Sequence, residues 1–129
     1  MIEVACAVVF IEGKVLIAKR GPGRDEGCWE FPGGKKQEDE SILKTAEREL
    51  FEELGLTVKS ENELWRYSYN QAPEQTKIEL IFIRCSCGNF APRCSEHSEV
   101  ALVPIPELTY YKLMQGDFAF ANWLQTAGI

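Results

Sequence analysis

Glu49, Glu52 and Glu53 stand at spacings of i, i+3 and i+4, with Arg48 immediately before them. On an α-helix these spacings bring three carboxylates to one side. Like charges so placed oppose helix formation by about 0.2–0.5 kcal/mol per pair. Arg48 can relieve the group by reaching Glu52 at i+4, but Glu49 and Glu53 form a second i, i+4 pair with no cation between them. Two readings are open at this level. The face is a solvated surface balanced by Arg48 and Lys44, or it is a grip for a hard divalent cation, which prefers carboxylate, water and phosphate oxygens.

The elements that would carry this face can be read from apolar periodicity. Ile42, Leu43, Ala46, Leu50 and Leu54 recur at three- and four-residue spacing, predicting a helix over 42–54 with Ser41 as N-cap and Gly55 just past its end. Upstream, the β-branched run Ile2–Ile11, the turn signal Glu12-Gly13-Lys14 and the run Val15–Arg20 predict a β-hairpin. Gly21–Gly27 is a charged loop, and Trp29-Glu30-Phe31 is a short extended piece ended by Pro32-Gly33-Gly34. Further strands are expected at about Leu64–Tyr69, Lys77–Cys85 and Val100–Val103. A last helix is expected over Phe118–Gln125, with Phe118, Ala121 and Trp123 or Leu124 facing inward. Strands interleaved with two helices indicate one α/β domain over 1–129 with a mixed sheet.

From Gly34 the chain reads Gly34-x5-Glu40-x7-Arg48-Glu49-Leu50-x-Glu52-Glu53-x-Gly55-Leu56. This resembles the Nudix box, and the approach Trp29-Glu30-Phe31-Pro32-Gly33-Gly34-Lys35 resembles the MutT-like branch of the Nudix hydrolases. The resemblance implies an α/β/α sandwich with a mixed β-sheet and a loop–helix–loop catalytic motif. It implies Mg²⁺ or Mn²⁺ held by Glu49, Glu52, Glu53 and the carbonyl of Gly33. Arg48 would orient Glu49, and Glu40 would hold Arg48 or touch a further metal. Gly33 and Gly34 would let the backbone pass close to the metal. The proton acceptor is open among Glu52, Glu53 and Glu99, the last also a candidate metal contact from the family position. Arg20 is expected on a substrate phosphate, where a guanidinium suits bidentate contact.

Base recognition leaves more alternatives. Trp29, Phe31 and Phe82 are either stacking faces or core, with Phe82 read as core. Gly34 lies at the substrate approach. Asp117 is either a helix N-cap or a reader of the base edge, and an ionised aspartate can only accept hydrogen bonds. His97, the one histidine, is read as exposed polar surface and assigned no role.

The expected activity is pyrophosphohydrolysis of a nucleoside triphosphate to monophosphate and pyrophosphate. Oxidised dGTP, which would make it a DNA-repair activity, or a pyrimidine triphosphate are the leading substrates. The same chemistry on a 5′-triphosphate RNA end, a dinucleoside polyphosphate or a nucleotide sugar is the alternative. A non-catalytic nucleotide sensor is a third reading, disfavoured because the box carboxylates are all present. A net charge of −6 argues against long nucleic acid as partner, since phosphate contacts dominate such binding. No apolar run approaches the ~20 residues of a membrane span. No export signal is visible, so the five cysteines read as free thiols in a cytoplasmic monomer or homodimer. The spacing of Cys85, Cys87, Cys94 and His97 does not match a zinc pattern.

Overall fold

The computed structural model describes every residue, Met1–Ile129. Strands β1 (Ile2–Ile11) and β2 (Lys14–Arg20) form the expected hairpin. Glu12 at φ 50° and Gly13 at φ 78° supply the two left-handed residues of a turn whose twist matches its strands. After the loop come β3 (Trp29–Glu30) and β4 (Gly33–Lys35), then helix α1 (Ile42–Leu54). Strands β5 (Val58–Gln71), β6 (Thr76–Cys87) and β7 (His97–Pro104) follow. A 3-10 turn over Ile105–Tyr110 leads to helix α2 (Gln115–Ala127).

The sheet runs β3-β2-β1-β6-β5, with β4 paired to β1 and β7 to β2. Only β1 and β6 are parallel, so the sheet is mixed. Its alternation makes two cores. On one face Ala5, Ala7, Val9, Ile81 and Ile83 pack under Ala46, Leu50 and Leu54 of α1. On the other, Cys6, Val8, Ile17, Phe31 and Phe82 meet Phe120, Ala121 and Leu124 of α2. A strand buried on both faces reads as an unbroken apolar run, which is why β1 is so legible. The result is three layers, α/β/α.

Helix α1 begins and ends where its sequence says. The Ser41 hydroxyl accepts from the Lys44 N–H at 3.2 Å. Gly55, at φ 64°, turns the chain out, and the Leu56 N–H reaches back to the Leu50 carbonyl at 3.3 Å.

Three expectations need correction. Strand β5 starts at Val58 rather than near Leu64, because it is a sheet edge whose solvent face carries Glu61, Glu63 and Arg66, and two irregularities, at Ser60/Asn62 and Glu63/Trp65, break the period-two pattern. Strand β7 starts at His97 rather than Val100, its first residues, His97, Ser98 and Glu99, being polar. Helix α2 starts at Gln115, with Met114 before it and no side-chain cap, so no capping signal exists to be read. The inward residues are Asp117, Phe120, Ala121 and Leu124, while Phe118 is 43% exposed.

Among the glycines Gly33 is the most tightly enclosed, since a Cβ there would lie 1.8 Å from the Ala5 carbonyl oxygen. The glycine is there to let β4 pair with β1, the partner of its backbone being a strand. Gly33→Ala should therefore destabilise the fold by about 1–3 kcal/mol, as overpacking does, read as a lower urea midpoint. An unchanged midpoint would show that β4 can move aside freely.

Candidate active site

The carboxylate face of α1 is organised by one guanidinium. Arg48 donates from Nη2 and Nε to Glu40 at 2.7 and 3.0 Å, from Nη1 to Glu49 and Glu52 at 3.0 and 3.2 Å, and from Nη2 to the Lys35 carbonyl at 3.1 Å. Glu40, hydrogen-bonded by Arg48, is held down at about 2. The expected contact of Arg48 with Glu49 and the expected hold of Glu40 on Arg48 are both present. Gly34 faces the same group, since a Cβ there would sit 2.4 Å from the Glu49 carboxyl carbon. So the two glycines make room for Ala5 and for Glu49.

Glu53 is different from its neighbours. It is buried, and its Oε1 has no hydrogen-bond partner. Burial, then Glu49 alongside, then the charges of Glu30 and Glu96 push its pKa up to about 9. The residue beside it is His97, whose Nδ1 lies 3.6 Å from Glu53 Oε1 and whose Nε2 lies 2.8 Å from Glu30 Oε2. Glu30 in turn accepts from Arg20 Nε at 2.9 Å. Burial alone would raise Glu30, but the His97 and Arg20 contacts outweigh it and hold it below the usual carboxylate range.

His97 is therefore buried, contrary to the surface position expected of it. Glu99 is not with the helix carboxylates: it pairs with Lys19 at 3.6 Å and is more than half exposed. The reason is an irregularity in β7, where the register passes from Lys19↔Glu99 to Arg20↔His97 and skips Ser98. Period-two counting could not foresee it. Glu96, unassigned from the sequence, is the carboxylate that acts on Glu53 from this segment.

Beside the carboxylate face opens a cleft of about 520 Å³. Arg20, Arg24 and Lys35 line one part of it with Asp25, Glu30, Gly33 and Gly34, and Tyr67, Leu80, Phe31 and Asp117 line another. Arg20 and Arg24 are paired there with Glu30 and Asp25, so one end of an aromatic and apolar slot carries charges of both signs. Tyr67, whose hydroxyl accepts from Gln115 Nε2 at 3.0 Å, gave no sequence signal beyond strand alternation. Phe31 is not a free stacking face, being 2% exposed and edge-on to Phe82 and Phe120. Trp29 packs edge-on against Tyr111, away from the cleft lining. Asp117 is not the N-cap of α2: it is buried in the first turn and accepts from the Phe31 N–H at 2.8 Å. Burial raises it to about 7, against the pull of that hydrogen bond.

The donor set fits a hard divalent cation. The unpaired Glu53 Oε1 lies in an all-carboxylate group whose repulsion a cation would relieve, and oxygen ligands suit Mg²⁺ or Mn²⁺. No three ligating groups close on a common point, and Glu49 and Glu52 are both engaged by Arg48. An open half-site of this kind suits an ion that keeps waters and takes substrate phosphate oxygens. The cysteines make no such site: Cys85 and Cys87 lie in or against the α1-side core, and all five are unpaired thiols.

The fold and site together define the class: an α/β/α sandwich with a glutamate-bearing loop–helix–loop beside a cleft. The NUDIX domain pattern matches residues 1–124, and the chain belongs to the NUDIX domain family. It is 49% identical over 57 residues to the CTP pyrophosphohydrolase of Escherichia coli K12, an alignment covering 43% of this chain and 42% of that protein. It is 27% identical over 110 residues to the oxidized purine nucleoside triphosphate hydrolase of Danio rerio, covering 85% of this chain and 70% of that one. The solution structure of the E. coli ORF135 protein superposes with a TM-score of 0.84 at 28% identity, over 99% of this chain and 93% of that one. The chain thus spans less than half the length of the first of these relatives.

Asp117 gives this site a measurable signature. Its pKa in the fold lies above its ordinary value, so the folded chain holds a proton that the unfolded chain releases. The stability that Asp117 contributes should therefore fall as pH rises from about 4 through about 7. Asp117→Asn, which keeps an acceptor for the Phe31 N–H, should flatten that slope in urea titrations across this range. An unaltered slope would place the proton elsewhere.

Proposed function

We propose that the chain is a divalent-metal-dependent pyrophosphohydrolase of a nucleoside triphosphate, oxidised dGTP or a pyrimidine triphosphate, releasing monophosphate and pyrophosphate. The observation that carries the reading is the buried, unpartnered Glu53 carboxylate, crowded by Glu49 beside a cleft lined by Arg20, Arg24 and Lys35. Glu49, Glu52, Glu53 and the Gly33 carbonyl would hold Mg²⁺ or Mn²⁺. When bound, the metal would neutralise polyphosphate charge and lower the pKa of a water.

The chain's own residues do the rest. Arg48 orients Glu49 and Glu52 and is itself held by Glu40, the kind of outer support a metal site requires. Arg20, in reach of the cleft, takes a phosphate, with Arg24 and Lys35 adding charge. Glu52 or Glu53 accepts the proton from the attacking water. Glu96 stands beside Glu99 as a candidate further carboxylate, because its charge adds to the rise at Glu53 whereas Glu99 pairs with Lys19. The base enters beside Tyr67 and Leu80, over Gly34, where Asp117 reads its edge. Near neutrality Asp117 is available both as an acid that donates and as an anion that accepts, so its hydrogen bonding is not restricted to one pattern. The names of the relatives, one acting on CTP and one on oxidized purine nucleoside triphosphates, are compatible with either substrate. The five unpaired thiols fit a reducing compartment, and we assign the enzyme to the cytoplasm on that ground.

A substrate panel with Mg²⁺, scored by whether pyrophosphate or orthophosphate appears, tests the reading. Pyrophosphate from CTP, dCTP or oxidised dGTP that stops on chelation with EDTA is the expected result. Nucleotide binding without turnover would favour a sensor. Glu53→Gln should lower turnover by roughly 10²–10⁴-fold, the usual worth of a positioned proton acceptor, while its melting temperature stays at or above that of the parent. Arg20→Ala should act chiefly on KM, raising it about tenfold, as loss of one charged hydrogen bond does. Near-parental kinetics in Glu53→Gln would reject the site.

A further inference from the structure

We propose that His97 is a positioning residue that ties Glu53 of the carboxylate helix to Glu30 and, through it, to Arg20 of the cleft. The inference rests on the functional reading above and adds a residue to it.

His97 is 8% exposed, and both ring nitrogens face carboxylates. Nε2 meets Glu30 Oε2 at 2.8 Å, and Glu30 Oε1 takes Arg20 Nε at 2.9 Å. Nδ1 faces Glu53 Oε1 at 3.6 Å, and these two are the buried side-chain nitrogen and oxygen atoms left without a hydrogen-bond partner. A histidine kept only for packing would be expected to have both nitrogens satisfied, because a buried polar atom without a partner costs free energy. Here one nitrogen is engaged and the other is aimed at Glu53.

The backbone is shaped to deliver the ring. The skipped Ser98 turns His97 inward opposite Arg20. Just before it, Ser95 Oγ donates to the Glu53 carbonyl at 2.9 Å, and the Arg93 N–H donates to the Leu54 carbonyl at 2.7 Å. The segment is thus fastened to the end of α1, and the ring closes a bridge from that helix to β3 and β2. A single side chain sets the metal-facing carboxylate and the phosphate-facing arginine relative to each other.

The two ends of the ring can be tested apart. In His97→Gln the amide reaches the Nε2 position and keeps Glu30; in His97→Asn it occupies the Nδ1 position and keeps Glu53. Binding of Mn²⁺ alone, followed by electron paramagnetic resonance without nucleotide, reports on Glu53. KM for CTP with Mg²⁺ reports on Arg20, and thermal melting reports on folding. His97→Gln should weaken Mn²⁺ binding by roughly 10-fold or more, as loss of a supporting contact at a metal site does, with KM within about twofold of parental. His97→Asn should show the reverse, and His97→Ala both losses. If His97→Ala fails to fold, the Gln and Asn variants decide. Parental Mn²⁺ affinity and KM in a folded His97→Ala would overturn the proposal, as would equal losses in both readouts from Gln and Asn. Failure of the functional reading is distinguishable: the parent itself would then turn over none of the nucleotides, while its Mn²⁺ titration would still compare the variants.

Discussion

The structure turns on the crowding of negative charge at one end of a helix. Glu49, Glu52 and Glu53 would repel each other on any exposed helix, and the chain answers with two different devices. Glu49 and Glu52 share Arg48, which is anchored in turn by Glu40 and by the Lys35 carbonyl. Glu53 has no lysine or arginine partner and is buried instead, where burial and the neighbouring carboxylates raise its pKa to about 9. Burial and crowding leave this point short of positive charge, and everything around it can be read as the frame that holds it so.

That frame is the mixed sheet. Leu50 and Leu54 root α1 on Ala5, Ala7, Ile81 and Ile83, so the opposite face of the helix has one possible direction. Strand β4 is drawn against β1 at Gly33, which brings Gly34 under the Glu49 carboxylate. The same short strand leads out of Phe31, whose ring is locked between Phe82 and Phe120 and whose N–H holds Asp117. Rigid packing on the α2 side therefore positions the floor of the cleft, and rigid packing on the α1 side positions the charges at its rim. This is how a protein of net charge −6 still brings Arg20, Arg24 and Lys35 to one slot, beside the Asp25 and Glu30 that pair with the two arginines.

Acidic groups within a small region are driven in opposite directions. Glu30, held by His97 and Arg20, is kept ionised, whereas Glu53 and Asp117 are raised by burial. Environments that separate the acidities of like groups are a mark of functional sites rather than of surface balance.

The amino-acid sequence by itself determined the carboxylate helix. The stripe Ile42–Leu54, the Ser41 cap, the Gly55 stop and the Arg48–Glu52 contact all depend on residues within a turn or two of each other, where spacing sets geometry. It also determined the β1–β2 hairpin and the buried strand core, because these follow from alternation and turn chemistry. Tertiary structure decided what lies across from that helix. His97 faces Glu53 and Glu99 does not, because one skipped residue in β7 reverses the parity on which strand counting relies. Asp117 lies in the cleft and Phe118 outside it, because α2 starts three residues earlier than its apolar pattern and has no capping residue to announce it. Phe31 and Trp29 went to packing because aromatic type states size and polarity, not which neighbours will arrive from far along the chain. Contacts between residues tens of positions apart are set by how the layers close on one another, and local spacing carries no record of them.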